Sequence, residues 1–279
     1  MLGIVLALAS SVAWGTSDFL GGLRTRRMSA LTVLLVSQPV GLALALGVAL
    51  AVGGDALSAR DAAIAAGAGA TVVMALGAFY RAMALGSVTV VATIGALGVL
   101  VPVGAGLVQG DRPSALQAVG AIAAIAGVAL VVREPDPEWR AASRVAIGLA
   151  ALAALGFGTF LLGLDVSSGP RPAWTIVAAR IGSVATLLAV AAFARPSMRF
   201  DRSLLPSLFV IGFFDVLANS LFAVATNHGL LALVAVGGSL YSAVTVLLAR
   251  FVLGERLAVP QRGGLVVALA GVALIAAGT

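Results

Sequence analysis

The chain has 279 residues, 61% of them hydrophobic and 10% charged, with a mean hydropathy of +1.13. A soluble domain carries about 25% charged residues, so this is the composition of an integral membrane protein. All 17 basic residues are arginine, and a Gly-x-x-x-x-Gly-Lys-Ser/Thr loop is impossible without lysine, which excludes ATP hydrolysis by this chain.

The absence of cysteine and the single histidine, His228, exclude disulfides, thiol catalysis and Cys- or His-clustered metal sites. No metal and no cofactor is expected. The net charge of +6 lies mostly between apolar runs and fits membrane orientation rather than nucleic acid. Arginine in place of every lysine, with abundant Ala, Gly and Val, points to a GC-rich genome and hence to a bacterial inner membrane.

An apolar run begins directly after Met1 with no basic stretch before it, so the first segment reads as a retained helix. Crossing a bilayer takes about 20 residues, and runs of that kind predict ten spans: 2–23, 30–52, 61–84, 87–109, 114–132, 145–165, 173–194, 205–227, 230–253 and 258–278. The alternation of a barrel strand is absent, and backbone groups in lipid must be satisfied internally, so the spans are helices.

The longest polar break is 133–144, Arg-Glu-Pro-Asp-Pro-Glu-Trp-Arg-Ala-Ala-Ser-Arg. Its prolines and charges keep it out of the membrane. It divides the chain into a first unit, 1–132, and a second, 145–279, of five helices each. At an offset of 144, Gly110-Asp111-Arg112 matches Gly254-Glu255-Arg256, and Gln117, Gly120, Ala124 and Gly127 match Gln261, Gly264, Ala268 and Gly271. At an offset of 143, Gly15-Thr16 matches Gly158-Thr159 and Gly86 matches Gly229. Because five is odd, the second unit must enter the membrane from the opposite side. That predicts an inverted pair with substrate at the repeat interface near the midplane. The small-residue stripes around Gly120 and Gly264 read as close-packing scaffold.

Two five-helix repeats, Trp14-Gly15-Thr16 in the first span, and a Gly-acid-Arg ending the fourth span of each half resemble the drug/metabolite transporter superfamily, EamA type, over essentially the whole chain. The resemblance implies an all-α membrane protein with ten transmembrane helices in two inverted five-helix repeats. It also implies export of amino acids, other small metabolites or drugs, and in some branches exchange of nucleotide sugars or phosphorylated compounds. Asp111, where the pattern has Glu, and Asp18, where it is commonly apolar, depart from it.

Charges inside spans are costly and usually face a bundle interior or a watery cavity. Asp215 lies near the middle of the eighth span, with Asn219 and Thr226 on its face and Phe222 between them. Asp18 lies four residues after Trp14, Arg180 near the middle of the seventh span, and Arg81 after Tyr80 toward the end of the third. Two acids and two bases predict pairing. A lone desolvated carboxyl favours its neutral, proton-carrying form, whereas a touching guanidinium holds the anion. Contact of Arg180 or Arg81 with Asp215 therefore separates a proton carrier from an ion-pair gate.

Each residue has a competing structural reading: Asp18 at the interface, Arg81 snorkelling to headgroups, Arg180 fixing helix packing. Arg180 equally suits a substrate carboxylate or phosphate. Trp14, Tyr80 and Tyr241 are candidate cavity aromatics, against packing or interface anchoring. Ser239, with Ser242 and Thr245, gives the ninth span a polar stripe, and Thr93, with Thr89, is its rough counterpart in the fourth. Asn227-His228 reads as a helix end, and Asp111 and Glu255 as interface residues.

The breaks after odd-numbered spans hold eleven arginines: Arg24, Arg26, Arg27, Arg133, Arg140, Arg144, Arg195, Arg199, Arg202, Arg256 and Arg262. Those after even-numbered spans hold three, Arg60, Arg112 and Arg171. The excess predicts both termini outside the cytoplasm; the resemblance implies both inside.

The expected activity is that of a secondary transporter exporting a small polar or amphipathic metabolite by alternating access, with a proton as candidate coupling ion. A small-molecule substrate and membrane lipid are the expected partners, nucleic acid is not, and one chain holding both repeats suffices as a monomer. The rivals are a lipid or lipid-carrier flippase, with a groove open sideways to lipid, and a non-transporting receptor or assembly subunit. An enzyme is not expected, for no catalytic constellation is present.

Overall fold

The computed structural model describes residues 2–54, 57–101, 104–105, 114–132, 140–168, 172–196, 202–228, 240–255 and 258–278. Among them ten α-helices follow one another: α1 Leu2–Thr25, α2 Ala30–Val52, α3 Ala59–Leu85, α4 Val88–Gly95, α5 Ala115–Val132, α6 Arg140–Ser168, α7 Pro172–Ala194, α8 Leu205–His228, α9 Tyr241–Leu253 and α10 Val259–Ala277. Ser29, Ser58 and Ser87 start α2, α3 and α4, each accepting a hydrogen bond from the amide three residues on. Gly254 ends α9 in the left-handed region at φ 68°, which glycine adopts without a Cβ clash.

Segments within α2, α3, α6, α7 and α8 are long and apolar enough to cross a membrane, and α4, α5, α9 and α10 are shorter apolar helices. The outer surface is apolar: Leu50, Ile122, Phe193 and Phe251 are all exposed. Such a surface belongs in lipid. The chain is a multi-pass membrane protein.

Two predicted boundaries change. The span 87–109 is not one regular helix, because α4 stops at Gly95 and a 3-10 turn, Ala96–Val99, follows. In that turn Gly98 lies against the backbone of Ala154 and Gly158 in α6, an approach that a Cβ would block. Second, α6 begins at Arg140, so residues 140–144 of the expected connecting loop are helical. Residues 229–239, the first part of the ninth predicted span, lie outside the described residues.

The two halves touch reciprocally. Gly15 on α1 meets the Tyr241 carbonyl and the Val244 side chain on α9; 143 residues later, Gly158 meets the Gly98 carbonyl and the Val101 side chain. Likewise α3 packs on α6 and α8 on α1. Reciprocal contacts of this kind are what a two-fold relation produces. The equivalent helices α5 and α10 pack directly on each other, Gly120 against Gly271 and Leu274, Gly127 against Gly264 and Ala268. The numbers run in opposite senses, so this pair is antiparallel, and the two-fold that relates the two helices lies across their axes. The pair α2 and α7 repeats the pattern, with Trp174 near Gly53 and Arg180 near Gln38.

Hydroxyls pin the halves together. Ser10 and Ser17 on α1 donate to the Ala218 and Ile211 carbonyls on α8 at 2.8 and 3.0 Å, and Ser183 on α7 donates to the Gly69 carbonyl on α3 at 2.8 Å. Glu255, just past α9, reaches the N-terminus of α4 in the other half. Its carboxylate accepts from the Val88 and Thr89 amides at 3.0 and 3.2 Å and from the Ser87 and Thr89 hydroxyls at 2.9 and 3.0 Å. Arg26 adds a longer ionic contact to it at 3.8 Å. An anion satisfying orphan amides at a helix N-terminus is stabilised by both hydrogen bonding and the helix dipole.

Candidate functional site

The residues of α8 that share one stripe, Asp215 and Asn219, face the centre of the bundle. Arg180 Nη1 on α7 lies 2.6 Å from Asp215 Oδ2 and donates to Gln38 Oε1 on α2 at 2.7 Å. Gln38 Nε2 in turn donates to Asp215 Oδ2 at 3.2 Å, closing a triangle of three helices. Asn219 Nδ2 adds bonds to the Asp215 backbone carbonyl at 2.6 Å and to Oδ1 at 3.3 Å. Arg180 is only 7% exposed, so the pair is held away from bulk water. Glycines let the three helices come this close. Gly212, one turn before Asp215, lies against the Ser37 carbonyl, and Gly41, one turn after Gln38, faces the guanidinium. Asp215 is thus touched by the Arg180 guanidinium, the contact that the ion-pair arrangement requires.

Beside the triangle lies a cavity of about 210 Å³. Trp14 and Asp18 of α1 line it from the first half; Arg180, Asp215, Asn219 and Tyr241 line it from the second. Most of the remaining wall is apolar, including Phe157 and Phe160 of α6. The Trp14 ring packs against Phe222 at 5.4 Å and edge-on to Tyr241 at 6.4 Å between centroids. The arrangement can hold a small body with an apolar part among the rings and a polar part near the carboxylates.

Not every candidate meets the cavity. Arg81 is exposed on the outer side of α3, and among the described residues it pairs with neither Asp18 nor Asp215. Consecutive helical residues point about 100° apart, and Tyr80 takes the inward direction. Its ring is 2% exposed and fills the space over Gly21 of α1, so Tyr80 is core rather than lining. Thr93 is likewise fully buried, with its hydroxyl donating to the Thr89 carbonyl at 2.7 Å. The predicted pairing of two acids with two bases therefore holds for one pair. Ser239 and the side chain of Thr226 lie outside the described residues.

Gln38 was missed by the sequence reasoning. Its signal was present: an amide inside a long apolar run, directly before Pro39. A buried amide must find partners, and nothing in the sequence named them. Phe157 and Phe160 gave no signal beyond an ordinary apolar helix.

Fold and cavity define a membrane protein of two similar halves with a charged pocket between them. The EamA-like transporter family matches residues 1–133 and 144–277, and the chain belongs to that family. No curated protein matches its sequence. A solved crystal structure shares the fold, with 12% identity over 98% of this chain and 95% of that one, at a TM-score of 0.67.

Proposed function

We propose that this protein is a secondary transporter that exports a small polar or amphipathic metabolite by alternating access. Its ten helices would span a bacterial inner membrane as two inverted five-helix units, one chain sufficing. The observation that carries the reading is a cavity walled by both halves and bordered by a buried ion pair. Transporters of inverted-repeat design bind substrate at such an interface, and rocking of one half against the other changes which side is open. The antiparallel packing of the equivalent helices α5 and α10 supports the inverted arrangement. Energy would come from a proton gradient or from the substrate's own gradient.

The test is efflux from cells loaded with a panel of amino acids, nucleobases and cationic dyes, with wild type compared with Asp215→Asn at equal membrane expression. Efflux of one class by wild type, lost in the variant, is expected. Unchanged efflux in the variant would remove Asp215 from the pathway. If wild type moves no member of the panel, metabolite export is overturned and a lipid substrate becomes the reading to pursue.

A further inference from the structure

Among the described residues three charged side chains line the cavity, and two of them are matched. Arg180 is engaged by Asp215 and Gln38. Asp18 is 7% exposed, lines the cavity, and has no cation and no hydrogen-bond donor bonded to it among the described residues. Residues 229–239, which lie outside the described residues, contain no charged residue. Arg81 points outward. Two carboxylates and one guanidinium leave the described cavity wall with a net charge of −1 when all are ionised.

The surroundings of Asp18 are aromatic. Trp14 lies one turn before it on the same face of α1, with Phe222 and Tyr241 packed against the Trp14 ring. Ring faces attract a desolvated cation, and a buried carboxylate without a counter-charge is costly. A ligand carrying one positive charge on an apolar body meets the rings and supplies the counter-charge with which Asp18 ionises in exchange for its proton. An α-amino acid brings a carboxylate as well, and the guanidinium that would receive it is already bound to Asp215.

Building on the transporter reading, we propose that the cavity selects a monovalent organic cation with an aromatic or apolar body, its charge at Asp18 and its body among Trp14, Phe222 and Tyr241. Asp18 is thus the specificity-determining residue of the site.

The experiment is calorimetric titration of the purified full chain in detergent at neutral pH with three probes of one shape and different charge: 2-phenylethylammonium, phenylalanine and phenylacetate. The ammonium is expected to bind at least about tenfold more tightly than phenylalanine, and phenylacetate most weakly. Asp18→Asn is expected to lose that preference, and Asp18→Glu to keep it. Where Asp18→Asn does not fold, the charge series on wild type and on Asp18→Glu carries the test. Equal or tighter binding of phenylalanine, or a preference unchanged in Asp18→Asn, overturns the proposal. Binding of none of the three probes also overturns it. If such a protein still exports a member of the efflux panel, the transporter reading stands without the cation class; if it exports nothing, both fall.

Discussion

Asp215 alone would be a carboxyl in an apolar helix; with Arg180 and Gln38 it becomes part of a closed polar unit. Removing one member of a buried pair strands the other, at a cost of about 3–5 kcal/mol, whereas removing both with apolar residues of similar volume costs much less. Arg180→Met and Asp215→Leu should therefore each destabilise the protein strongly, and the double variant should lose clearly less than the sum. Thermal unfolding of the four-member cycle in detergent measures this, and additive losses would show that the pair is not coupled. At this scale the sequence showed which residues were costly to bury, because charge and hydropathy are local properties. It did not show the pairing, since Arg81 and Arg180 looked alike until the rotation of α3 turned Arg81 outward.

Elements carry a second set of consequences. Glu255 follows α9 in sequence yet acts as the N-terminal cap of α4, joining the halves at one end of the bundle. Capping interactions are worth about 0.5–2 kcal/mol. Glu255→Gln, which keeps one acceptor oxygen and loses the charge, should raise hydrogen exchange at the Val88 and Thr89 amides severalfold while leaving α8 amides unchanged. Exchange that rises equally in both helices would mean a global loss of stability instead. The helices themselves were legible, since a long apolar run in lipid has few alternatives to a helix. The break of the fourth span at Ala96–Val99 was not, because it depends on α6 lying against Gly98.

At the scale of the whole molecule, the repeat and the arginine distribution make different kinds of statement. The repeat concerns how the halves relate; the arginines give an expectation of which way the pair faces. The eleven-to-three excess predicts both termini outside the cytoplasm, so Thr279→Cys, in a chain without native cysteine, is expected to react with a membrane-impermeant maleimide in intact cells freed of their outer membrane. Labelling only after lysis would reverse the orientation and side with the family pattern.

The family likeness rested on the resemblance carried by Trp14-Gly15-Thr16 and the two Gly-acid-Arg motifs; composition and spacing sufficed for the membrane class, the two-unit organisation and the candidates Trp14, Asp18, Arg180, Asp215, Asn219 and Tyr241. Each of these follows from properties that lie along the chain: transfer free energy, helical period, and identical residues at a constant offset. Tertiary structure alone decided that Gln38 completes the ion pair, that Tyr80, Arg81 and Thr93 stand away from the cavity, and that Asp18 lines it among aromatic rings without a bonded partner among the described residues. Those facts depend on the rotation of each helix about its axis and on the close approach of glycines from distant helices. Both are set by how all the faces pack together at once.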